Sequence, residues 1–382
     1  LIMSGIGLMF GIGSSVVASI HLSQDNKKAA NINVTQAFMA GFIAVLAWLI
    51  AEMFSETVAR GLGASDRLLP YVLDYQRWLS RSFLAIFLQS VGLMIIRLDG
   101  SPKYAMLCSS LPSIVNVVLD YVFLFVLKKG LEGVAMATAI GCWTGGLMVI
   151  AYILFFKQTL HLYRLKASLT SLRLTARNLS YQMKLGFSAM LGDLCIAVLM
   201  FVGNYVFLKY QQEDGVAAFS VACYIFPFIF MTGNAIAQSA QPIVSFNYGA
   251  GSNDRVNEAL NVALKTSVLL GLMVVLGIDL LIDYVVGIFV DTDGNAAQIA
   301  KQGIPWLSIC FIPYILNVVY IGYSQSIEKA KYATLYAVLR GFVLLIPCFL
   351  LMPLLIGNIG MWLAMPLSEL LTLAIIVLRK KK

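Results

Sequence analysis

Apolar residues run in long blocks along this chain, and short polar clusters separate them. Eleven blocks stand out, at about 1–21, 32–54, 76–97, 104–127, 131–156, 181–208, 215–246, 259–282, 300–323, 331–353 and 357–378. Most approach the ~20 residues that a helix needs to cross a bilayer. No strict alternation of apolar and polar positions marks the strands of a membrane β-barrel. Helices, by contrast, satisfy their backbone groups within each segment, as hydrocarbon demands. The pattern predicts an all-α membrane protein. Composition agrees: 60% of the 382 residues are hydrophobic and 12% charged, about half the charge of a soluble domain.

The first block, LIMSGIGLMFGIGSSVVASI, lacks the basic start and cleavage site of a signal peptide. No strand precedes its glycines, so close helix packing explains them better than a phosphate loop. The six cysteines are scattered in apolar blocks without a CxxC pair, which reads as small buried hydrophobes. With two histidines, His21 and His161, a zinc site has no support.

Basic residues orient the spans. Alternate connections and the tail hold Lys27, Lys28, Arg97, Lys103, Lys157, Arg164, Lys166, Arg173, Arg177, Lys184, Arg255, Lys329, Lys331 and Arg379 to Lys382; the opposite set is Arg60, Arg67, Arg77, Arg81, Lys128, Lys129, Lys209 and Lys301, or 17 against 8. The first set, with the C-terminus, is expected to face the cytoplasm. The net charge of +8 is thus a topology signal, and no soluble basic face exists for nucleic acid. The longest cytoplasmic connection, 157–180, carries Leu162, Leu165, Leu169 and Leu172 at helical spacing among basic residues. It reads either as an amphipathic helix on the inner leaflet or as a solvated linker, and in both cases as a seam between an N-lobe, 1–156, and a C-lobe, 181–382.

Sliding the chain over itself by about 228 residues aligns RWLSRSFL at 77–84 with PWLSICFI at 305–312, and SPKYAML at 101–107 with KAKYATL at 329–335. GLEG at 130–133 meets GNIG at 357–360 with a one-residue slip. The polar stretch SFNYGAGSNDRVNEAL, 245–260, meets the turn around Gln24–Asn31. There Gly249 and Gly251 would allow positive φ, and Asn253 or Asp254 would cap the next helix. Both copies run in the same direction, a parallel repeat known among transporters. The repeat predicts twelve spans in the full protein, six plus six in two pseudo-twofold-related lobes, with the first span and part of the second expected to lie outside this sequence.

These features, in order, are similar to the multidrug and toxic compound extrusion (MATE) family, on its DinF-like branch. The resemblance rests on QPIVSFNYGAGSNDRVNEA, RLDGSPKY, NVVLDYVFLF followed by GLEGVAMATAI, and LRGFVLLIPCFLLMPLLIGNIGMWLAMPLSEL. It implies two six-helix lobes around a central cavity, and H⁺- or Na⁺-driven export of organic cations.

Charges inside spans are costly, about 2.5–3.5 kcal/mol each at mid-bilayer. Asn116 and Asp120 share a helix face one turn apart, and Thr138 lies on the next span. A carboxylate, an amide oxygen and a hydroxyl suit a small hard cation or a proton. The resemblance implies that this trio belongs to the N-lobe cation site, whose further Asp comes from the first family helix, absent here. An Asp120–Arg81 pair is the alternative. Asp193, deep in its span, reads either as a proton carrier or as a partner in a helix–helix hydrogen bond. Arg340 and Glu369, on neighbouring antiparallel spans, are expected to form a buried structural ion pair. Tyr224, Phe226, Phe228, Met231 and Gln238 are candidates for a lining that binds flat organic cations. Pro347 and Pro353 are expected to bend their helix.

The sequence reading is therefore a monomeric, multi-pass transporter of the plasma (inner) membrane: a cation-coupled antiporter, not an enzyme, with no cofactor or metal beyond its coupling ion, a small organic substrate, and membrane lipid as its surroundings. The rival is a flippase for lipid-linked oligosaccharides, which calls for a basic cavity. No converging His, Ser or metal set supports an enzyme.

Overall fold

The computed structural model describes residues 2–61, 65–166, 168–292 and 294–380. All regular elements among them are helical: α1 (Ile2–Ser23), α2 (Lys27–Glu52), α3 (Ser55–Gly61), α4 (Leu69–Arg81), α5 (Phe83–Leu98), α6 (Pro102–Tyr121), α7 (Gly130–Ala151), α8 (Leu169–Gly249), α9 (Asn253–Leu280), α10 (Ile282–Phe289), α11 (Asn295–Ser308), α12 (Phe311–Ser326), α13 (Ala330–Val338), α14 (Leu345–Ile356) and α15 (Asn358–Lys380). π-helical turns at Val122–Val126, Tyr152–Phe156 and Leu339–Val343 extend α6, extend α7 and join α13 to α14. The last lies where Pro347 withholds the N–H that would pair with the Val343 carbonyl.

Eight helical segments are long and apolar enough to cross a membrane. One of them, α8, is two spans in sequence, because Gln212 leaves helical geometry at φ 56°, ψ −146°. Two further spans are bent pairs, α4 with α5 at 48° and α11 with α12 at 44°. Each of the eleven apolar blocks therefore falls on a helix, on one arm of α8, or on a bent pair.

The chain divides into two compact units, Leu1–Gly186 and Phe187–Lys382, and the duplication seen in sequence recurs in their backbones. Both bends follow a Trp-Leu-Ser triplet, Trp78–Ser80 and Trp306–Ser308. At both bends a serine hydroxyl turns back on its own helix: Ser82 Oγ donates to the Leu79 carbonyl at 2.7 Å, and Ser308 Oγ to that of Pro305 at 2.8 Å. The tight turns match as well. Asn26, Ser101, Ser252 and Lys329 each donate a backbone N–H to a carbonyl five residues back, at 2.8–3.1 Å. The residue before each has positive φ: Asp25 (55°), Gly100 (85°), Gly251 (74°) and Glu328 (59°). This is the helix stop in which a left-handed residue lets the chain reverse while orphan carbonyls stay paired.

Two local expectations are corrected. Gly249 ends α8 in helical geometry, so Gly251 alone supplies the positive φ. The N-cap of α9 is Ser252, without a side-chain hydrogen bond, rather than Asn253 or Asp254. In the matching turn Asn26 does cap α2, accepting from Ala29 N at 3.1 Å.

In the first unit α1 is the central helix, 78% buried over its most apolar window, and it packs on α5 and α2. Its glycines make that possible: a Cβ on Gly7 would lie 2.7 Å from Ser90 Cβ, and one on Gly11 2.9 Å from the Ser90 carbonyl oxygen. The second unit has one large core in which Phe207, Phe219, Phe226, Phe311 and Phe349 are fully buried. Leucines, valines and phenylalanines elsewhere on both units are exposed, as expected of helices whose outer faces meet lipid.

The connection 157–180 does not form a separate surface helix. Residues 157–166 have no regular structure, and from Leu169 the helix runs without a break in backbone geometry to Gln212. Its first turns stay with the first unit, because Gly13 packs on the Gln182 backbone and Gly186 on that of Met9.

Candidate functional site

Asp120 sits in the last turn of α6, just before the π-helical turn at Val122–Val126. Such turns interrupt the regular backbone ladder and often mark functional positions. One carboxylate oxygen, Oδ1, is buried and accepts no hydrogen bond. That is costly for a carboxylate unless a proton or cation visits it. Asp120 forms no ion pair among the described residues, and the Arg81 guanidinium lies instead over the Trp78 ring at 4.9 Å. The Asp120–Arg81 alternative is therefore absent.

One turn back, Asn116 Nδ2 reaches Thr138 Oγ1 of α7 at 3.5 Å, and Thr138 in turn donates to the Val134 carbonyl at 3.0 Å. The two helices approach closely because α7 has Gly141 here: a Cβ would stand 3.0 Å from Asn116 Cβ and 3.1 Å from the Pro112 carbonyl oxygen. Asn116 and Thr138 thus lie where α6 and α7 pack, and Asp120, one turn further along α6, has an acceptor to spare.

In the second unit Arg340 sits in the π-helical turn between α13 and α14, and Glu369 on α15. Nε and Nη2 of Arg340 donate to Glu369 Oε1 at 3.2 and 3.0 Å. The other carboxylate oxygen accepts from Asn317 Nδ2 at 2.7 Å, and the same amide donates to the Glu369 carbonyl at 2.9 Å. The guanidinium also lies 4.1 Å from the centre of the Tyr314 ring. Both charged side chains are almost wholly buried, 8% and 3% exposed. A buried pair is tolerable only when its remaining lone pairs and protons are engaged, and Asn317 and Tyr314 do this. Neither was a sequence candidate; their only signal is helical phase, since both lie on α12. Half-buried Asp193 lies two residues before Cys195, whose sulfur packs on Gly341 and donates to the Ala337 carbonyl at 3.7 Å. Asp193 therefore belongs to the helix that flanks the Arg340 turn.

The five lining candidates separate. Phe226 is 1% exposed and packed against Phe219 and Phe230, so it has no surface to offer a substrate. Phe228 and Met231 are largely exposed on one face, Tyr224 stacks on Phe289 with centroids 4.7 Å apart, and Gln238 is half-buried. A cavity of about 590 Å³ lies further along the same helix, between α8 and α9. Ala, Ile and Val line most of it, Ser239, Asn247, Arg255 and Glu258 add polar atoms, and none of the five candidates takes part.

Asp99 had no assigned role in the RLDG motif. Its carboxylate, 4% exposed, accepts from the backbone N–H groups of Gln158, Thr159 and Leu160 at 2.8, 2.7 and 2.7 Å and from the Tyr152 hydroxyl at 2.9 Å. Asn31 Oδ1 receives the His161 N–H at 2.9 Å, and Thr35 Oγ1 that of Tyr163 at 2.8 Å. Gln36 then meets Thr175 and Asn178 at 3.0 and 3.2 Å. Polar side chains of α2 and the end of α5 thus hold the whole connection against the first unit.

Comparison with known proteins fits this architecture. The MatE family model matches residues 1–122 and 188–350. The multidrug export protein MepA of Staphylococcus saprophyticus is 23% identical over 374 residues, covering 96% of this chain and 80% of that protein. An FAD transporter of Shewanella oneidensis is 22% identical, covering 97% and 82%. Among solved structures, a multidrug resistance MATE family transporter of the MOP superfamily in an outward-facing conformation superposes with a TM-score of 0.89 at 20% identity, over 100% of this chain and 86% of the other. A MOP superfamily transporter from Pyrococcus furiosus gives 0.88 at 21%, over 100% and 84%. The match over most of the chain places it among membrane transporters, not enzymes: this protein belongs to the MatE family.

Proposed function

We propose that the chain is a cation-coupled exporter of amphipathic organic compounds that works by alternating access, with Asp120 as the group that takes up the inward-moving ion. The observation that carries this reading is the buried, unpartnered Oδ1 of Asp120, one helical turn from the Asn116–Thr138 contact. A proton would neutralise the carboxylate, and Na⁺ would draw on the same three oxygen-bearing side chains. Either event changes the charge of the first unit by one, worth about 2.3 kcal/mol per 100 mV of membrane potential. Ion binding that differs between inward- and outward-open states then shifts their populations. The trio also supports placement on the DinF-like branch.

For substrate, the apolar cavity between α8 and α9, with Glu258 at its polar end, suits an amphipathic cation. The MepA relatives, named for multidrug export, point the same way. That cavity has a single basic residue, Arg255, with Glu258 three residues away, among mostly Ala and Ile walls; this weighs against the flippase reading, which calls for a basic cavity to hold a pyrophosphate. The protein is read as a monomer in the plasma membrane, its C-terminus cytoplasmic.

Efflux of a cationic dye from cells expressing the protein tests the reading. Asp120→Asn should abolish ion-driven efflux while leaving the amount of folded protein unchanged. Efflux at the wild-type rate in that variant would remove Asp120 from the coupling role.

A further inference from the structure

The two units finish the same site differently. In the first, the space among α2, α5 and α7 is closed to about 10 Å³, because Leu160, His161 and Leu162 of the connection fill it over Gly92, Ile95, Val149 and Tyr152. About 228 residues on, Gly92, Ile95, Ile96, Val149 and Tyr152 correspond to Tyr320, Tyr323, Ser324, Ile376 and Arg379, which line a cavity of about 620 Å³ in the second unit. Ile327 stands where Asp99 holds the first unit's plug.

What lines the open cavity is not what an empty lipid-facing groove would need. Tyr320, Tyr323, Tyr332 and Tyr336 surround it, and Lys329 and Arg379 stand at its rim. No carboxylate is part of the lining, and neither cation forms an ion pair among the described residues. Two like charges facing one cavity repel unless an anion joins them. Helix α13 begins at Ala330 with Lys329 as an N-cap that gives no side-chain hydrogen bond, so the N–H groups of Ala330 and Lys331 remain available to an anionic oxygen. Phenol rings and hydroxyls suit the body of an organic ligand and its polar edge.

We propose that this cavity is a second ligand site, separate from the export path, that takes an organic phosphate: its charge is held between Lys329 and Arg379 and its body lies among the four tyrosines. The phosphate has two possible sources, the headgroup of an anionic phospholipid or a soluble nucleotide-like molecule.

Native mass spectrometry of the purified chain in neutral detergent distinguishes them. One arm adds phosphatidylglycerol with phosphatidylcholine as its control; the other adds adenosine monophosphate with adenosine as its control. The wild-type chain should retain at least one phosphate probe over its control, and the probe retained identifies the source. The Lys329→Gln/Arg379→Gln double variant should bind that probe about tenfold more weakly, as expected on losing charge-assisted hydrogen bonds. Wild-type protein that prefers neither probe, or a double variant that binds as tightly as wild type, overturns the proposal. Both side chains are exposed, so folding should survive. If the double variant is not recovered folded, the single variants carry the test: weaker binding in either supports the site, and unchanged binding in both overturns it.

Discussion

Pro112 and Gly141 touch where α6 meets α7 in the first unit, with 3.1 Å between the Pro112 carbonyl oxygen and a Cβ built on Gly141. About 228 residues on, with the one-residue slip that begins at Gly130, Pro112 corresponds to Arg340 and Gly141 to Ser368, whose hydroxyl donates to the Arg340 carbonyl at 3.3 Å; Glu369 stands where the first unit has Cys142, and it pairs with Arg340 at 3.0 Å. The exchange runs the other way one step along. Asp120, with its orphan oxygen, corresponds to Cys348, a buried thiol. One frame of bent helices thus accepts either a tight apolar contact or a charge at the same place. Charge is therefore not needed to build the frame, and each charged group calls for its own reason. In the second unit the reason is internal: Arg340 and Glu369 neutralise each other and are engaged by the Tyr314 ring and Asn317 Nδ2, leaving a neutral orphan atom, Asn317 Oδ1. In the first unit Asp120 is left with capacity unused, which is why it is the coupling candidate and the Arg340–Glu369 pair is not.

The largest effect should come from breaking the pair. Glu369→Ala leaves the guanidinium buried and uncompensated, and should cost about 3–5 kcal/mol, seen as a loss of thermal stability in detergent. Replacing both partners, Arg340→Met with Glu369→Leu, should recover most of it, because uncharged residues, Pro112 and Cys142, occupy the corresponding positions in the first unit. A double variant as unstable as the single one would show that the charges do more than pack.

Asp99 comes next. Asp99→Ala leaves three backbone N–H groups and one phenol without their acceptor, and should cost about 2–3 kcal/mol. The loss should be local: trypsin should cut after Lys157 faster, while the second unit, with Ile327 at that place, has nothing comparable to lose. Unchanged cleavage would mean that Asn31, Thr35 and Gln36 hold the connection by themselves.

The smallest effect is at Gly141. Gly141→Ala should destabilise by about 1 kcal/mol, since its methyl must push Asn116 or Pro112 away by a few tenths of an ångström. If Asn116 and Thr138 act together on the ion, that displacement should lower the rate of dye efflux more than it lowers stability. Equal losses in both would separate the Asn116–Thr138 contact from coupling.

The apolar blocks located the spans, because hydrocarbon forces every crossing segment to bury its backbone polar groups within itself. The shared Trp-Leu-Ser and Lys-Tyr-Ala fragments located the duplication, and the matched bends and left-handed turns follow it. Arg340 and Glu369 were legible as partners because two buried opposite charges on adjacent helices have few other choices. Phe226 was not: an aromatic residue in a span faces core, lipid or cavity according to helix phase, and composition does not fix that phase. The connection at 157–180 misled for a related reason. Its leucines have helical spacing, but Asp99, Asn31 and Thr35 take the backbone N–H groups of Gln158, Thr159, Leu160, His161 and Tyr163 and keep that stretch out of a helix.

The sequence by itself determined that this is a duplicated bundle of membrane helices, where each half begins its turns, and which few charges must be explained, since these follow from local hydropathy and spacing. Only the tertiary structure decided which of those charges are satisfied, that the first unit's open mouth is plugged while the second unit's is lined with tyrosines and cations, and which aromatic residues are core. Those outcomes depend on contacts between residues far apart in the chain, and whether a buried polar atom finds a partner is settled by packing alone.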